Sequence, residues 1–252
     1  MSGRIGFVLW GVITASPACA AEPVIRLTTL EWPPYASSQL EQQGASVAVV
    51  RAAAAAMGYT VEVHFYPWNR AIALVQSPDS GFVGYLPEYS SEDVGARFRL
   101  SAPIGRSPLG FVEPTANPVR WTTLADLQGL TIGVVSGYVN TEAFDARVRL
   151  GQLNVDPVVD DAINIRKVAA GRIPLAVIDR HVLDHLLEHD PTLRAARGRV
   201  RFNARPLEDK TLHVAFQGSA QGEAAAHVID AGLERIDAEA IAAGFFRRES
   251  PD

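Results

Sequence analysis

Asp179 closes the stretch "IPLAVID", residues 173–179, an apolar run that reads as a strand handing a carboxylate to its own carboxyl end. An acid there suits a cationic group, or it could pair with Arg180 or Arg205. "SGY" at 136–138 follows the apolar run "LTIGVV" and precedes a helical stretch, so the amides of Ser136, Gly137 and Tyr138 could cradle an anion. Trp32 and Tyr35 in "LEWPPYA" make a stiff aromatic tip after "VIRLTTL". Such a tip either plugs a core or walls a pocket. "PWNRA" sets Trp68 and Arg70 at a helix start, where Arg70 could reach a ligand anion or pair with a carboxylate. Tyr85 follows a short apolar run and could rim the same mouth. Ser101 in "LSAPIGR" could offer its hydroxyl and a backbone donor, with Arg97 and Arg106 nearby as anion partners or solvated charges.

Catalysis would need an acid and a base poised together. Glu31, His64, Glu88, Asp179 and His181 are available, yet they form no recognisable triad. No GxSxG, P-loop, dinucleotide fingerprint or HExxH occurs. His181, His185 and His189 recur at four and share one helix face, which reads as a solvated polar stripe rather than a metal site. The expectation is a chain with no catalytic residue, no metal and no cofactor.

The elements that would carry these residues alternate. "VIRLTTL" at 24–30 reads as a strand, and "SVAVVRAAAAAMG" at 46–58 as a helix capped by Ser46 and stopped by Gly58. "TVEVHFY" at 60–66 is a second strand, the segment after Pro67 a helix with Asn69 as its cap, and "GFVGYLP" at 81–87 a short buried strand. This grammar argues for a parallel sheet with helices on its faces. It recurs with a short helix at 122–129, a strand at 130–135, a helix at 139–150, a strand at 155–159, a helix at 161–171 capped by Asp161, and the strand ending at Asp179. A helix, "HVLDHLLEH", and a strand at 198–204 follow. The tail adds a strand at 211–216 and helices at about 221–234 and 237–246. "GFVEPTANPVRW" between the two units is rich in loop signals at Pro114, Asn117 and Pro118. The tail strand completes the first unit if the chain crosses between units twice.

The first 20 residues combine Arg4, the apolar run "IGFVLWGVI" and small residues at Ala18 and Ala20, the pattern of an export signal cut after Ala20. The run is too short to span a membrane as a mature helix, which takes roughly 20 residues. Cys19 is the only cysteine, so the mature chain carries no thiol, which suits an oxidising compartment. Ser16 and Pro17 depart from the Leu-then-small pattern of a lipid-anchoring cysteine. Loss of Arg4 takes the net charge from −5 to −6, and an acidic chain without a basic run argues against nucleic acid.

In their order, "LEWPPYA", "GASVAVVRAAAAAMG", "FYPWNRAIALVQ", "RLSAPIGRSPLGFV", "LADLQGLTIGVVSGY", "GRIPLAVIDR" and "LHVAF" resemble the bacterial periplasmic solute-binding proteins of the amino-acid-binding class, family 3, which serve ABC importers. The likeness spans most of residues 24–246. It implies an α/β fold of the periplasmic binding protein type II: two α/β lobes, residues 24–109 with 206–252 and residues 110–205, joined by two crossing segments around a central cleft. It implies a monomer in the periplasm that holds a small polar solute, amino-acid-like or otherwise, and hands it to a membrane permease of an ABC transporter. The alternatives are an enzyme on the same fold, dehydratase-like, and a sensory module without transport. Within the resemblance Trp32, Tyr35, Trp68, Arg70, Tyr85, Ser101, Arg106, Ser136, Gly137, Tyr138 and Asp179 approach the solute, and Asp179 receives its amino group. One departure stands out. The amino-acid binders clamp the solute's carboxylate with an arginine seven residues before the serine, and here that position is Val94. Valine cannot make a bidentate clamp.

Overall fold

A computed structural model describes residues 22–247; the expected export signal lies outside the described residues. The strands are β1 (Val24–Thr29), β2 (Thr60–Phe65), β3 (Gly84–Tyr89), β4 (Phe98–Leu100), β5 (Gly105–Pro114), β6 (Thr131–Val135), β7 (Asn154–Val158), β8 (Leu175–Asp179), β9 (Val200–Phe202) and β10 (Glu208–Gln217). The helices are α1 (Ala45–Ala55), α2 (Trp68–Gln76), α3 (Glu92–Gly95), α4 (Glu142–Arg149), α5 (Asp161–Ala169), α6 (Arg180–His189), α7 (Ala220–Leu233) and α8 (Ala238–Arg247).

All strands join one sheet in the order β2-β1-β3-β10-β5-β8-β6-β7, with β4 on β10 and β9 on β5. The strand–helix alternation does produce parallel ladders, β1 with β2 and β3 in one lobe and β6 with β7 and β8 in the other. The sheet as a whole is nevertheless mixed. β5 and β10 pair antiparallel with each other, Gly105–Leu109 against Glu208–Leu212. Beyond that shared ladder, β10 runs on against β3 and β4 in the first lobe, and β5 runs on against β8 and β9 in the second. These two long strands are the crossings between the lobes. The tail strand thus completes the first unit; residues 110–114 of the loop-rich stretch are strand, and the loop begins just after Pro114. Pro114 ends β5 at a site where its missing N–H costs no inner ladder bond.

Burial follows sheet position. β3 and β8 are covered along their whole length, whereas edge strand β2 alternates exposed and half-buried residues. Three caps differ from expectation: Gly44 precedes α1, Pro67 precedes α2, and Asp160 rather than Asp161 accepts from the Ile163 amide at the start of α5. Asp161 is thereby moved to the first helical position, which matters for the site. α1 is mostly alanine and valine, and its small side chains let α7 approach closely. A Cβ on Gly232 would sit 2.0 Å from the Ala53 carbonyl oxygen. Gly232→Ala should therefore lower the unfolding free energy by about 1–3 kcal/mol in urea titrations, because backbone, not a flexible side chain, must yield. An unchanged midpoint would show that the helices part at no cost.

Candidate functional site

The tip "WPPYA" is tied down from both sides. The Trp32 amide donates to the Ala36 carbonyl at 2.7 Å, and the first amides of α1, from Ala45 and Ser46, donate to the carbonyls of Pro34 and Tyr35 at 3.0 and 2.9 Å. This anchoring fixes two rings at once, Trp32 and Tyr35, stacked at 4.6 Å. Tyr35 plugs the core at 1% exposure, while Trp32 walls the cleft.

Tyr35 reaches across the lobes. Its hydroxyl donates to Asp179 Oδ2 at 3.0 Å, Ser107 Oγ donates to the same oxygen at 2.5 Å, and the Val182 amide donates to Oδ1 at 2.9 Å as α6 begins. Asp179 is thus the cap of α6 and the meeting point of both lobes and a crossing strand. Neither alternative ion pair forms: Arg180 lies over the Phe202 ring and Arg205 over Trp121. Burial pushes the Asp179 carboxyl up, opposed by the Ser107, Val182 and Tyr35 bonds and by His181. Burial likewise raises the Tyr35 hydroxyl well above its usual range, with the Asp179 charge adding to it.

Behind this junction the interlobe space is filled by protein. Tyr85 is fully covered, and its hydroxyl donates to Glu88 Oε2 at 3.0 Å. Tyr89 and Ser107 share a hydroxyl bond of 2.5 Å. Burial raises Glu88 to about 7, partly offset by the Tyr85 and Tyr89 bonds. Two small chambers of about 20 and 10 Å³ lie here, lined in part by Glu88 and by Asp179 respectively. They are of the size of single waters.

The room for a solute lies further out. A cleft of about 490 Å³ opens between Leu30–Pro33 and Phe65–Trp68 of the first lobe and Tyr138, Val159–Ala162, Val182 and Leu186 of the second. Small-molecule sites commonly measure about 300–1,000 Å³. Trp68 bridges it at one point, its indole N–H donating to the Gly137 carbonyl at 3.0 Å. Gly137 holds φ at +84°, a conformation that favours glycine, and a Cβ there would sit 2.1 Å from Asn69 Oδ1, so a larger residue would push the Asn69 side chain aside.

Of the eleven residues singled out from sequence, Trp32, Trp68 and Tyr138 line this cleft, and Gly137 touches it through Trp68. Tyr35, Tyr85 and Asp179 lie behind it. Ser101 is turned inward, its hydroxyl donating to the Ala102 carbonyl and accepting from Val214. Ser136 spends its amide on the Val158 carbonyl. Arg106 pairs with Asp209 at 2.6 Å, and exposed Arg70 lies over the Tyr66 ring at 5.4 Å; neither lines the cleft. Val94 is core. The histidine stripe is solvated only in part: His189 is exposed, His185 is buried and stacks on it, and half-buried His181 stacks on Phe246. Among the described residues no three His, Cys, Asp or Glu are grouped to hold a metal.

Sequence reasoning missed Glu31, Tyr66, Asp160 and Asp161 as lining residues. Asp161 is the informative one. It is 6% exposed, and among the described residues the group that favours its charged form is the Trp32 indole across the cleft. Burial raises its carboxyl to about 7, the indole bond opposes, and the nearby charges of Asp179 and Asp160 add to the rise. The signal available was the doubled acid "DD" at 160–161, where one carboxylate suffices for a cap and the second is left for other work.

No family model matches the chain, and no curated protein matches it. Solved structures do. A histidine kinase sensor domain with similarity to periplasmic binding proteins aligns with TM-score 0.74 at 18% identity, over 88% of this chain and 95% of that one. The periplasmic VFT2 domain of BvgS from Bordetella pertussis aligns with TM-score 0.70 at 17% identity, over 91% and 94%. An amino acid ABC transporter substrate-binding protein from Streptococcus pneumoniae, bound to L-arginine, aligns with TM-score 0.70 at 12% identity, over 90% and 97%. The fold is that of the type II periplasmic solute-binding proteins, including those of amino-acid ABC transporters.

Proposed function

We propose that this chain is a solute-binding protein that captures a small polar solute between its lobes and does not transform it. One observation carries the reading: a cleft of about 490 Å³ walled by residues of both lobes, which share two crossing strands. Residues 24–109 with 206–252 and residues 110–205 are the two bodies that close over the solute, a hinge motion about β5 and β10. The expected setting is the periplasm, as a monomer serving the permease of an ABC importer. A sensory role is the second reading, favoured by the likeness to a histidine kinase sensor domain.

Trp32 and Trp68 both line the cleft, so indole fluorescence should report binding directly. A panel of amines, amino acids, sugars and organic acids at millimolar concentration should yield at least one class that shifts emission and raises the melting temperature together, since a ligand of the native state stabilises it by mass action. A panel without any such hit overturns the reading.

A further inference from the structure

We propose, resting on the solute-binding reading, that the cleft takes a small organic cation, a primary or quaternary amine without a carboxylate, whose charged group sits between Asp161 and the aromatic corner of Trp32, Trp68 and Tyr138.

Three observations support it. The first is charge. Glu31, Asp160 and Asp161 line the cleft, no Lys, Arg or His does, and among the described residues none of the three is in an ion pair. A groove of one sign with low-dielectric walls concentrates the opposite ion.

The second is shape. Tyr138 of the second lobe stands at 83° to Trp32 and at 83° to Trp68, with centroids 6.4 and 6.0 Å apart. Rings meeting at right angles offer a cation several faces or edges at once, and indole faces are the strongest cation–π partners.

The third is the fate of the positive helix ends. Asp160 caps α5 and Asp179 caps α6, so the starts of these two helices are already met by carboxylates. An incoming carboxylate would find Asp160 and Asp161 there. Val94 supplies no clamp, and Arg106 is paired away with Asp209. Asp161, by contrast, is buried at the wall with an indole for its partner, and the groups that face it are Asp160, Asp179, Tyr89 and Tyr138, none of them a cation. A bound ammonium supplies the missing charge. It also draws the Asp161 proton off, so affinity should fall up to about tenfold per pH unit below 7.

The test pairs each amine with the amino acid that carries the same group: putrescine against ornithine, agmatine against arginine, choline against glycine betaine, by calorimetry on the full chain at pH 8 and pH 6. At least one amine should bind ten or more times tighter than its carboxylated partner, weaken at pH 6, and lose thirtyfold or more in Asp161→Asn, whose fold is checked by circular dichroism. Tyr138→Leu should weaken the same amine and leave its pH dependence in place. An amino acid that binds as tightly as its amine, or a sugar or organic acid that binds instead, overturns the cation assignment and leaves the solute-binding reading standing. Failure of every compound, including the wider panel, overturns both.

Discussion

Asp179→Ala should lower the unfolding free energy by about 2–4 kcal/mol. The carboxylate closes three bonds, to Tyr35, Ser107 and Val182. Losing the cap of α6 alone costs about 1 kcal/mol, and hydrogen bonds to a charged group add roughly 1.5–3 kcal/mol. The loss is bounded because both hydroxyls keep another partner, Tyr35 the Arg106 carbonyl at 3.2 Å and Ser107 the Tyr89 hydroxyl. Burial, which disfavours the ionised carboxyl, gives part back. Since Tyr35 belongs to one lobe and Asp179 to the other, the same change should loosen closure. Small-angle scattering of the ligand-free protein should show a larger radius of gyration for Asp179→Ala than for the parent, and Asp179→Asn, which can still cap α6, should fall between them in stability. A variant with parental stability and parental scattering would show that the junction holds nothing together.

The sequence carried the architecture in its repeating strand–helix grammar, because each buried strand is a short apolar run and each helix ends at a glycine or begins near a small polar residue. Gly58 and Gly171 hold φ of +75° and +68° just beyond α1 and α5, where a helix exits most easily through glycine. What stayed hidden was non-local. β5 looked like loop after residue 110 because its partners, Ala176–Asp179 and Val200–Phe202, lie 60 and more residues away in the chain, and no local pattern announces them. The site was legible in the same measure. Trp32, Trp68 and Tyr138 follow strands or open a helix, and such ends converge on a cleft between lobes. Asp179 does sit at a strand end facing the junction, but two hydroxyls from elsewhere occupy it, a fact that depends on Tyr35 and Ser107 being folded in. The sequence points to Asp161 as the cap because a helix start is visible only to within a residue, and a shift of one residue separates a cap from a wall of the cleft.

Asp161→Asn should stabilise the ligand-free protein at pH 8 by about 3 kcal/mol while removing its affinity for a cation. The carboxyl's pKa rises from 3.8 to about 7 on folding, through burial first. Well below pH 4 the group is protonated in both states and contributes nothing. Between pH 4 and 7 the native state keeps a proton that the unfolded chain has released, so raising the pH favours unfolding, by about 4 kcal/mol once pH 8 is reached. Asparagine has no charge to bury and can still accept from the Trp32 indole, so it escapes this penalty. It forgoes the attraction between a first-turn carboxylate and the α5 dipole, about 0.3–1 kcal/mol, which leaves the net gain near 3 kcal/mol. The gain should therefore be absent at pH 4 and grow through pH 7, as read by urea titrations across that range. The parent should lose stability with pH more steeply than the variant but not uniquely, because Glu88, raised to about 7 by its own burial, keeps a slope of the same sign in both proteins. A variant that is less stable at pH 8, or one that gains equally at pH 4 and pH 8, would mean that Asp161 is already compensated inside the fold. A pH-dependent gain would instead mark a charge held at a cost in the empty protein, and the counter-charge that relieves it has to arrive with the solute.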